Sequence, residues 1–91
     1  MAGKKRLWGY DKEQGAVLRE ATASIPTLQW VIDRAERHAE IADLFVLHAT
    51  VEELDDVYTL VEELTDRTRS RKRRELLDDL RASLCTSMDG F

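Results

Sequence analysis

Leu44-Phe45-Val46-Leu47, running through His48-Ala49 into Thr50-Val51-Glu52-Glu53, is the stretch whose reading decides the fold class. Upstream of it, Leu28, Val31/Ile32, Ala35, Ala39, Ala42 and Phe45/Val46 recur at spacings of three and four, the period of one stripe on an α-helix. The stripe predicts a helix from Pro26 to about Leu47. Its small residues Ala35, Ala39 and Ala42 would let a second helix approach closely. A short buried strand over 44–47 is the competing reading, because periodicity alone cannot settle so short a run. No Gly or Pro brackets the run, however, and no second convincing strand is present to pair with it. The helical reading is therefore taken, and with it an all-α fold.

Upstream, Ser24-Ile25-Pro26-Thr27 marks a boundary, since Pro is tolerated in the first turn of a helix and Ser24 is a natural N-cap before it. Tyr10 to Ala23 reads as a helix with Val17, Leu18 and Ala21 on one face and Asp11 as its cap. Gly15 inside it costs about 1 kcal/mol against Ala. Residues 1–9, with three bases and two glycines, read as a flexible N-terminal segment ahead of a single helical domain over 10–91.

Downstream, Thr50-Val51-Glu52-Glu53 matches the capping-box pattern and opens a clean stripe of Val51, Leu54, Val57/Tyr58, Val61 and Leu64. Leu76/Leu77, Leu80, Leu84 and Met88 form another. The stripe centre rotates by about 130° between the two at 100° per residue, which argues for a break near Thr65, Thr68 or Ser70. One helix over 51–86 would also be roughly 54 Å long, too long for a compact chain of this size. Two helices are preferred. The whole predicts a small antiparallel bundle of three to four helices, its core completed by self-association as a homodimer or against a larger partner.

The chain has 91 residues, 43% apolar and 35% charged, with four Gly and one Pro, which excludes disordered and collagen-like classes. Its single thiol, Cys85, allows no internal disulfide and fits a reducing compartment. The basic start lacks the apolar stretch of a signal peptide, and no run approaches a membrane span. A cytoplasmic protein is expected, with no membrane contact.

The net charge of −4 conceals segregation. Residues 50–66 carry seven acids and no base, and residues 67–74 then carry six bases and no acid. Phosphate would be repelled by most of such a surface, so any nucleic-acid contact is confined to 67–74 and is not favoured. On a helix, Arg67, Arg71 and Arg74 share a face while Lys72 and Arg73 point elsewhere. Glu63–Arg67, Arg71–Glu75 and Arg74–Asp78 at i,i+4, with Asp66–Arg69 and Asp78–Arg81 at i,i+3, would make this a solvated, salt-bridged helix. In a eukaryotic source the run would also read as a nuclear localisation signal.

Catalytic and metal chemistry find little support. His38 and His48 lack the helical ligand spacing of a metal site, and read as a partly buried histidine and a turn histidine. His38-Ala39-Glu40 opens like a zinc deaminase signature, but no Pro-Cys-x-x-Cys follows. Cys85 reads as a small buried apolar residue on the flank of the last stripe. No Gly-rich phosphate loop occurs, and the carboxylate pairs Asp55–Asp56 and Glu62–Glu63 diverge on a helix. No catalytic residue, cofactor or metal is expected.

Trp8 and Trp30 remain. Trp30 lies slightly off the Leu28–Ile32–Ala35 stripe, where an aromatic ring often anchors an interface. Trp8 reads either as a second anchor or as a lid folded over helix ends. The expectation is a non-enzymatic protein–protein interaction module, a small adaptor or regulatory protein, with Trp8, Trp30, Arg67, Arg71, Arg73 and Arg74 as partner-binding residues. The alternative is a nucleic-acid-associated regulator contacting phosphates through 67–74.

Overall fold

The computed structural model describes residues 5–89, in the order β1 (Lys5–Asp11), α1 (Lys12–Thr22), α2 (Pro26–Asp33), β2 (Glu36–Arg37), β3 (Leu44–Thr50), α3 (Val51–Arg67) and α4 (Arg71–Asp89). The run 44–47 is thus strand, and the all-α bundle is corrected to a mixed fold with helices on one side of an antiparallel sheet. The helix predicted from Pro26 to Leu47 ends at Asp33. A short β-hairpin follows, closed by the His38 N–H donating to the Leu44 carbonyl at 2.8 Å. Asp43 stands at φ 61° just before β3, the left-handed conformation that turns the chain. Ala39 and Ala42 lie exposed in the hairpin loop, so their helical spacing with Ala35 was coincidental.

β3 is the central strand of the order β1-β3-β2. Trp8 faces Leu47 and Tyr10 faces Phe45 across the β1–β3 pairing, while Glu36 and Arg37 pair with Val46 and Phe45. Alternate residues therefore share a face. Trp8, Tyr10, Leu47 and Ala49 are buried beneath the helices, and Leu7, Gly9 and His48 look outward. The flexible segment expected over 1–9 is corrected accordingly: from Lys5 onward it is β1, and residues 1–4 lie outside the described residues. A domain starting at residue 10 would omit the strand that carries Trp8.

Each long strand runs straight into a helix through a reciprocal cap. The Asp11 carboxylate accepts the Gln14 N–H at 2.8 Å, and the Gln14 side chain accepts the Asp11 N–H at 3.0 Å. The Thr50 hydroxyl accepts the Glu53 N–H at 3.2 Å, and the Glu53 carboxylate accepts the Thr50 N–H at 2.9 Å. Two orphan amides are satisfied at each junction. At α2 the expected Ser24 cap is replaced: Ile25 occupies the N-cap without a side-chain bond, and Pro26 begins the helix. Gly15 is explained by packing, because a Cβ there would lie 3.1 Å from Cε1 of Tyr10.

α3 and α4 are separate helices, as the rotated stripes required, with Thr68 extended between them. Leu54, Val57 and Val61 of α3 and Leu77, Leu80 and Leu84 of α4 are fully buried with Trp8, Leu18 and Leu47. The apolar edges that suggested self-association are therefore largely covered within the chain. Leu7, Trp30 and Ile41 are the exposed large apolar side chains among the described residues.

Candidate functional site in the groove between α2 and α3

α2 is eight residues long and buries Leu28, Val31 and Ile32. Trp30 falls between these positions, and 61% of its surface is left in water. The ring is nonetheless held. The Arg34 guanidinium lies over it, 4.5 Å from the ring centroid, and the same guanidinium pairs with Glu53 of α3 at 2.8 Å. A cation–π contact and an ion pair thus fix the aromatic ring against the start of α3.

Beside this ring a cleft of about 460 Å³ opens, lined by Pro26, Thr27, Leu28, Trp30, Val31, Glu53 and Asp56. It shares Thr27, Leu28 and Asp56 with a second hollow of about 280 Å³ that adds Ile25, Thr59, Leu60 and Glu63. Together they make a continuous groove with an apolar α2 wall and an acidic α3 wall. Glu53 and Asp56 come from the first two turns of α3, where carboxylates also suit the helix dipole, and Glu63 from nearer its C-terminal end.

Burial pushes the Glu53 carboxyl up, but hydrogen bonds from Arg34 and from the Thr50 N–H, with the Arg34 charge, outweigh it and hold the group below its ordinary value. A carboxyl depressed in the folded state contributes stability above its unfolded pKa and loses it as pH falls through the folded pKa. Glu53→Gln should therefore cost about 1 kcal/mol at neutral pH. That difference should vanish in acid, below the folded-state pKa of Glu53. Urea midpoints of both proteins at several pH values check this, and a pH-independent gap would contradict it.

The other residues singled out from sequence are dispersed. Trp8 is 1% exposed in the core, where its Nε1–H donates to the Ser83 hydroxyl at 2.9 Å. The ring is enclosed by this chain itself, so it offers no free face in this fold. Arg67, Arg71 and Arg74 are exposed at the α3–α4 turn, while half-buried Arg73 pairs with Glu20 at 3.4 Å. Of the ion pairs suggested by spacing, Asp78–Arg81 forms, at 3.6 Å; the remainder are not made among the described residues. His48 is on the open sheet face, and the His38 Nδ1 accepts from the amides of Glu40 and Ile41 in the hairpin loop. Cys85 is exposed, not buried as its position on the stripe suggested.

Among the described residues no cluster of His, Cys, Asp or Glu has the makings of a metal site, and no helix is long and apolar enough to cross a membrane. The chain matches no family model, no curated protein and no solved structure. Sequence reasoning placed Trp30 off the buried stripe, where it is indeed exposed, but gave no sign of the groove beside it. Glu53 and Asp56 were legible only as cap and dipole acids, since their apposition to α2 is a tertiary fact.

Proposed function

We propose that the chain is a non-enzymatic protein–protein interaction module whose receptor surface is the α2–α3 groove. The observation that carries this reading is Trp30: a ring 61% exposed, yet immobilised by Arg34 at the mouth of an apolar groove. A rigid aromatic side chain buries large area on binding at little cost in conformational entropy, which is why such rings dominate interface energetics. The partner fits by charge complementarity. It is a segment that lays aliphatic side chains against the exposed Pro26 and Trp30 and brings Lys or Arg to Asp56 and Glu63. An amphipathic helix with basic flanks has that chemistry.

Trp30 supplies its own assay, because Trp8 is too buried to be quenched. A helical peptide with leucines at i, i+3, i+4 and i+7 and lysines between them should shift the emission to the blue and protect it from acrylamide. Trp30→Ala should weaken peptide binding, read by calorimetry, at least about tenfold, or 1.4 kcal/mol. A matched peptide with Glu in place of Lys should not bind. Unchanged quenching at about millimolar peptide, or equal binding of the two peptides, would refute the reading.

A further inference from the structure

The turn between α3 and α4 is independent of the groove and has different chemistry. It gathers Arg67, Arg69, Arg71, Lys72, Arg73 and Arg74 within eight residues. Among the described residues only Arg73 of these six has a carboxylate within ion-pair distance, and the other five are exposed. Four of the cations also occupy the first turn of α4, where the helix dipole disfavours positive charge. The fold thus tolerates a crowd of like charges without neutralising it internally.

The chemistry of the tip selects among anionic partners. Residues 65–75 include no apolar side chain, so the tip offers neither the desolvated anchor of a protein interface nor a group to insert into a bilayer. Five of the six cations are arginines, whose planar fork matches phosphate oxygens. The upstream acids offset this only in part: Glu63 and Asp66 stand exposed on the last turns of α3 beside the tip, two acids against six cations, and the other five are distant or engaged. At 1.5 Å per residue, Glu52 to Asp56 stand roughly 16–23 Å from Arg67, beyond the ~8 Å screening length at physiological salt. Glu62 is nearer but is drawn to Arg81 at 3.9 Å.

We propose that the α3–α4 tip binds the phosphodiester backbone of nucleic acid without reading its sequence. A labelled DNA duplex of arbitrary sequence, titrated by fluorescence polarisation, tests it. If four phosphates are neutralised, affinity should follow a log–log salt slope of about −3.6 and fall roughly a hundredfold between 50 and 200 mM salt. Substituting Arg69→Gln, Arg71→Gln and Arg74→Gln together should weaken binding at least about tenfold at 50 mM salt. The matched-charge control, Lys5→Gln with Lys12→Gln and Arg37→Gln, should retain nearly all of it. Denaturant midpoints guard against misfolding, and the tip variant should be no less stable than the parent because it relieves the dipole clash. No duplex binding at 50 mM salt, equal loss in both variants, or a tip variant binding like the parent would each overturn the proposal. So would preference for phosphatidylserine vesicles or polyglutamate over the duplex.

Discussion

Replacing Trp8 with alanine is expected to destabilise the protein by about 3–5 kcal/mol, the cost of removing a large aromatic side chain from a core. Trp8 is 1% exposed, packs 5.0 Å from the Tyr10 ring between centroids, and donates to Ser83 of α4. Its loss opens a cavity under the sheet and removes one of the two polar ties from α4 to β1, leaving the Ser87–Leu7 bond. A fold of this length holds about 5–14 kcal/mol in total, so the variant should be close to unfolding at room temperature. Urea denaturation followed by far-UV circular dichroism measures the loss. Ser83→Ala should cost less, about 1–3 kcal/mol, because it leaves the buried Trp8 N–H without an acceptor. A Trp8→Ala loss below about 1 kcal/mol would remove Trp8 from the core.

Leu47→Ala should cost about 2–5 kcal/mol, whereas His48→Ala, one residue along, should stay within about 0.5 kcal/mol. Leu47 is fully buried opposite Trp8, and His48 is exposed opposite Leu7. A strand makes neighbours experience opposite faces, so sensitivity should alternate along β3. Equal effects at the two positions would contradict the strand. The comparison needs three equilibrium curves in urea, for the parent and the two variants.

What could be read from sequence was what local chemistry determines. The caps at Asp11 and Thr50, Pro26 at the start of α2, and the break before α4 are each set by a few adjacent residues, and all are present. The sheet escaped because its alternation is masked. In β3 the outward Leu44 and Val46 are apolar like the inward Phe45 and Leu47, so no period of two shows. In β1 the outward Leu7 beside Trp8 has the same effect, and Gly9 suggested disorder. A clue was available at Thr50, whose capping conformation is extended, with φ −73° and ψ 162°. A helix reaching Leu47 would have had only two residues in which to reverse. Exposed Trp30 could be suspected from its place off the stripe, but the groove beside it exists only once α2 docks on α3. The cation run was plain in sequence. Its lack of internal partners was not, because side-chain pairing at i,i+4 is permitted by spacing, not required by it.

The ties between β1 and α4 bear on how the chain acquires its structure. Trp8 reaches Ser83 across 75 residues, and the Ser87 hydroxyl donates to the Leu7 carbonyl across 80. The central strand must likewise find a partner some forty positions earlier, from Leu47 back to Trp8. Such contacts raise contact order, and entropy must be lost in closing long loops before burial of Trp8 compensates for it. A four-helix bundle of equal length would collapse through near neighbours and reach its native state sooner. Here Trp8 is fully covered only once α4 packs on β1, which is an edge strand of the sheet. Any state in which α4 is detached would leave Trp8 bare on that edge, open to pairing with the wrong strand.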